Sequence, residues 1–102
     1  MPNKIFIPSE FKLNKERIKV EFDNDYCNKE NLFGEADFSE RVITLSNIDK
    51  GRRMKKEEID KTFYHELMHF LFDAIGKDRM KYDEELVEAL AIALYEFERT
   101  KK

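Results

Sequence analysis

A chain of 102 residues and 12.3 kDa can bury one small core but not two, so a single domain spanning residues 1–102 is expected. Its formal net charge of -3 and sequence pI near 5.5 offer no overall positive field to draw a phosphate backbone, which argues against a nucleic-acid partner. Hydrophobic residues make up 41% and aromatic residues 13%, enough for a packed core beneath a surface rich in charge, so composition excludes a disordered chain.

The apolar run near the N-terminus is too short for a signal h-region and no stretch approaches membrane-spanning length, so a cytoplasmic protein without a membrane partner is expected. The lone Cys27 can form no internal disulfide and reads as an incidental loop thiol in a reducing compartment. From Ile5 to Leu13, short apolar segments broken by Pro8 and bounded by Asn14 suggest an extended arm packed on the body. Arg17 to Phe22 alternates strictly, with Ile18, Val20 and Phe22 on one face, the period of a half-buried strand. Asp23 to Asn31 is polar, rich in Asn and Asp, and reads as a loop. Leu32–Phe38 and Arg41–Leu45 then read as a β-hairpin, in which Gly34 marks a bulge or a place where another backbone, a bound peptide among them, comes close. Ser46 to Arg53 is a polar connection. The basic cluster Lys50, Arg52, Arg53, Lys55 and Lys56 reads as a solvated loop and is assigned no site.

A long helix is expected from Lys55 or Lys56 to a C-cap at Gly76, with Glu57 and Glu58 complementing its dipole and Ile59, Phe63, Leu67, Phe70, Leu71 and Ala74 as its core stripe. Met68, Phe72 and Ile75 spread apolar character around it, which predicts burial on several sides. A short loop leads to Asp83, placed as an N-cap between Tyr82 and Val87 of a hydrophobic staple, and a second helix runs to about Arg99.

The chain's two histidines lie on the first helix in His65-Glu66-Leu67-Met68-His69. Four residues apart, they stand one above the other and can converge on one zinc ion, with Glu66 placed to handle a water on it. Two neutral imidazoles in an apolar helix need partners, and a metal supplies one. Catalytic zinc takes three protein ligands and leaves the fourth position open. Glu88, the one charge between Leu86 and Leu94, is the expected third ligand, because a carboxylate in an apolar run is costly unless paired or metal-bound. Glu85 is the fallback, while Glu84 suits the helix N-terminus. Tyr64, Tyr82 and Tyr95 are available to assist an oxyanion. Asp73 could orient His69, or face solvent.

Leu32-Phe33-Gly34-Glu35-Ala36-Asp37, Arg41 to Leu45, His65 to His69 and Glu85 to Ala91 follow one another in an order that resembles small phage and prophage zinc metallopeptidase-like proteins. These are similar to the ImmA/IrrE and SprT-like minimal zincins, and the resemblance covers most of the chain. It implies an α+β fold with a minimal zincin-like core: a small antiparallel sheet of about three strands, the HExxH helix and a C-terminal helix. By it, His65, His69 and Glu88 hold Zn2+ and Glu66 is the catalytic residue. Met68 and Leu90 depart from the ImmA/IrrE pattern, which commonly has a small residue and an Asn there. The expected function is a zinc-dependent endopeptidase acting on a protein or peptide. The alternative is a catalytically silent module in which zinc is structural and the surface binds a host or phage protein.

Overall fold

Ile18 and Val20 alternate with charged neighbours, so one face of their strand is driven inward and the sheet assembles on it. In the computed structural model, which describes residues 2–102, the chain order is β1 (Glu10–Leu13), β2 (Glu16–Phe22), α1 (Asn24–Glu30), β3 (Gly34–Asp37), β4 (Val42–Leu45), β5 (Ile48–Asp49), β6 (Arg52–Arg53), α2 (Lys56–Ala74), α3 (Asp78–Lys81) and α4 (Glu84–Thr100). The fold is α+β. Its main sheet differs from the expected one in having four strands, ordered β1-β2-β4-β3, and in being mixed: β2 and β4 run parallel.

The extra strand is the end of the stretch read as an arm. Asn14 and Lys15 adopt left-handed φ values of 50° and 68°, the two-residue turn that folds Glu10–Leu13 antiparallel onto β2. Ile5, at the start of the arm, is buried in the core, and just ahead of it Asn3 Nδ2 ties to the end of α4, donating to the carbonyls of Glu98 and Lys101 at 3.0 and 2.7 Å. The parallel pairing arises because the β3–β4 hairpin docks on β2 through its second strand and leaves β3 at the edge, and the chain reaches that edge through a helix, not the expected loop. Asp23 caps α1 by accepting from the Tyr26 amide at 3.0 Å, and Asn31 closes it at φ 60°. Phe22, at the end of β2, is 49% exposed and does not join the inward face.

The β3–β4 hairpin forms as expected, with Gly34 opposite Leu45 and Asp37 opposite Val42. Ser46 to Arg53, read as a plain connection, makes the small β5–β6 hairpin around Lys50 and Gly51, both at positive φ. Helix α2 lies between the main sheet and α4 and is buried on both sides: Phe63 meets Phe11 edge-on, Phe70 meets Phe38, and Tyr64 meets Tyr95. Ile43, Leu45, Phe70 and Val87 are shut off from solvent at the centre. Gly76 at φ 75° ends the α2 segment, α3 bridges a stretch expected as loop, and Asp83 caps α4 by accepting from the Leu86 amide at 3.1 Å.

Candidate metal centre

The expected four-residue spacing on α2 brings the His65 and His69 rings together, 5.0 Å between centroids. Across from them stands the first residue of α4. Glu84 places one carboxylate oxygen 2.9 Å from His65 Nε2 and the other 3.2 Å from His69 Nε2. Ligand atoms from His65, His69 and Glu84 lie within 4.8 Å of one another. Glu88, one turn further along α4, faces the other nitrogen of the same ring, 3.5 Å from His65 Nδ1. The structure therefore brings Glu84, not Glu88, onto the two Nε2 atoms, and Glu88 sits behind His65. The premise for choosing Glu88 also changes, because its side chain is 55% exposed and is no buried charge. Glu85 is exposed on α4.

His69 Nδ1 meets the main-chain carbonyl of Lys81, an oxygen that can only accept, so Nδ1 carries a proton. Its Nε2 faces a carboxylate oxygen of Glu84. Two acceptors face each other stably only with a proton or a metal cation between them, and two imidazoles with one carboxylate are a donor set that suits zinc. The residues fit the ion.

Glu66 lies between the histidines in sequence but turns toward the sheet, 6% exposed. Burial pushes its carboxyl up to about 7; His65 opposes that shift, and Glu84, Glu35 and Glu88 add to it. Gly34 explains how the carboxyl fits. A Cβ there would lie 2.6 Å from Thr62 Cγ2, 3.2 Å from the Thr44 main-chain oxygen of β4 and 3.3 Å from Glu66 Oε2, so the close approach inferred at Gly34 is made by the neighbouring strand's backbone and, more tightly, by side chains of α2. Two cavities, about 310 and 340 Å³, flank this point and share Gly34, His65 and Glu66 as walls. Phe33 and Ile92 line one, Phe38 and Tyr82 the other. Beside them β3 is an outermost strand, paired among the described residues with β4 alone.

Of the three tyrosines, only Tyr82 borders this cleft. Tyr64 packs against Phe63 and Tyr95, and burial pushes its hydroxyl up to about 12. Tyr95 pairs with Arg99. Asp73 neither touches His69 nor faces solvent: its oxygens bind Lys81 Nζ at 2.8 Å and Arg41 Nη1 at 2.7 Å, and these two cations hold its carboxyl below the usual range. Among the described residues, no helix is long and apolar enough to cross a membrane. No family model matches the chain, and no curated protein or solved structure matches it.

Proposed function

We propose that the chain is a zinc-dependent peptidase in which His65, His69 and Glu84 hold the ion and Glu66 moves the proton. The observation that carries this reading is the convergence of three ligand atoms within 4.8 Å at a cleft walled by a buried glutamate. Zinc at that point supplies a Lewis acid that acidifies water and polarises a peptide carbonyl. Glu88, behind His65 Nδ1, favours the proton on that nitrogen and leaves Nε2 free to bind. Glu66 accepts a proton from the attacking water and returns it to the leaving amine; its seclusion raises its proton affinity, which suits a group that must do both. The free edge of β3 can pair with an extended peptide and lay it across Gly34, with side chains entering the cavities on either side.

The test compares zinc stoichiometry and cleavage of a diverse peptide library by wild type and Glu66→Gln. Wild type should bind one zinc and cleave, and the variant should keep its zinc while losing cleavage by roughly 10²-fold or more. Zinc in both proteins with no cleavage by either would overturn the peptidase reading in favour of a silent, zinc-ordered binding module. A wild type that binds no zinc would overturn the site.

A further inference from the structure

Lys81 is a charged residue with a hidden side chain. Only 12% of that side chain is exposed, although α3, which it ends, has no buried residue. Its ammonium binds Asp73 Oδ1 at 2.8 Å and lies 4.6 Å from the centre of the Phe38 ring. Its main-chain oxygen accepts from His69 Nδ1. His69 and Asp73 are one turn apart on α2, so a single residue is gripped at both ends by one helix face. Arg41, from the end of the β3–β4 turn, holds the other oxygen of Asp73 at 2.7 Å and also pairs with Glu16 of β2. Three residues beyond Lys81 the chain reaches Glu84.

We infer that Lys81 is the positioning residue of the metal centre: its clamp on α2 fixes the His69 ring through its carbonyl and sets where α4 begins, and so where Glu84 meets the histidines. This rests on the zinc reading above and adds a residue to it. The side chain touches neither the ion nor substrate and acts through the carbonyl and the chain that follows. Groups that orient ligands in this way commonly set metal affinity by about 10- to 100-fold. The Asp73 carboxylate is then also part of the device, because it is the nearer of the two carboxylates on the ammonium, Asp78 Oδ1 being 3.4 Å away.

The experiment measures zinc affinity by competition with a chromophoric chelator, and the visible absorption of the cobalt-substituted protein, in wild type, Lys81→Met, Lys81→Arg and Asp73→Asn. Lys81→Met and Asp73→Asn should each bind zinc about 10- to 100-fold more weakly and give a cobalt spectrum shifted from wild type, while Lys81→Arg, which keeps the cation, should restore most of both. A double variant Lys81→Met/Asp73→Asn should lose little beyond Asp73→Asn alone, since that change already breaks the Lys81 contact along with the Arg41 one. If Lys81→Met lowers the metal-free melting temperature but leaves affinity and spectrum at wild-type values, the residue is merely structural and the inference fails. Should Lys81→Met not fold, Asp73→Asn alone decides, by the same two readings. A wild type that binds neither metal overturns the site itself; a wild type that binds beside unaltered variants overturns only the role of Lys81.

Discussion

Glu84 and Glu88 stand one turn apart on α4 and approach different nitrogens of the same imidazole, Nε2 at 2.9 Å and Nδ1 at 3.5 Å. Their positions imply different costs when each is removed. Glu84→Ala takes away a carboxylate that reaches both Nε2 atoms and should reduce zinc affinity by at least 10³-fold, about 4 kcal/mol or more. Glu88→Ala removes only an orienting partner and should cost about 10- to 100-fold. Glu85→Ala, on an exposed position, should change little. Chelator competition on the three variants ranks them, and a larger loss for Glu88→Ala than for Glu84→Ala would return the ligand role to Glu88. The sequence carried part of this. The four-residue spacing of His65 and His69 brings their rings together, and Glu88, expected as the third ligand, lies beside His65, so the four-residue rule carries Glu84 onto the same face. The burial argument for Glu88 does not hold, because Leu90 and Ile92 are 41% and 42% exposed and the run around it is not a buried stretch in which a lone charge demands a metal.

At the site β3 lies against α2 at Gly34. Gly34 leaves room for Thr62, whose methyl would lie 2.6 Å from any Cβ placed there and whose hydroxyl is tied to the Glu58 carbonyl at 2.8 Å. A β-branched side chain held in this way cannot rotate aside cheaply. Gly34→Ala should therefore push β3 off α2, destabilise the fold by about 1–3 kcal/mol in urea unfolding, and widen the cleft beside Glu66. Adding Thr62→Ser, which deletes the clashing methyl, should recover part of that loss; a Gly34→Ala protein as stable as wild type would show that the contact is not tight. Elements with a clear period were legible in advance: the alternation of β2, the β3–β4 hairpin, and the long apolar α2 with Gly76 beyond it. Those that were missed rest on turn and cap geometry. Helix α1 offers only Tyr26 and Cys27 as apolar residues and is marked by Asp23 and Asn31 at its ends, while β1 depends on left-handed φ at Asn14 and Lys15, residues with no glycine to announce the turn. The parallel pairing of β2 with β4 is a long-range choice that no local pattern encodes.

On the scale of the whole molecule, the three candidate ligands come from two helices whose connection is largely exposed. Ile75 to Met80 are all exposed, and across them α2 and α4 meet through Tyr64, Val87, Ala91 and Tyr95 on one side and through the His65, His69 and Glu84 cluster on the other. A domain of this size has a stability of only about 5–15 kcal/mol, so a bond across that junction is a large fraction of the total. Zinc binding and folding are thus expected to be coupled. At free zinc about 100-fold above its dissociation constant, linkage adds about 2.7 kcal/mol to the native state. For a domain near this length that corresponds to a rise in melting temperature of roughly 10–20 °C, read by circular dichroism with zinc present and again after chelation. The same increment should appear in Glu66→Gln, whose side chain is not a ligand, and should largely vanish in Glu84→Ala. Equal melting temperatures for wild type with and without zinc would mean that no ion bridges α2 and α4; an increment that survives in Glu84→Ala would mean that it is held elsewhere. Bound there, the ion would add to the α3 segment and the core contacts such as Tyr64 with Tyr95 a connection between the two helices whose strength depends on free zinc concentration.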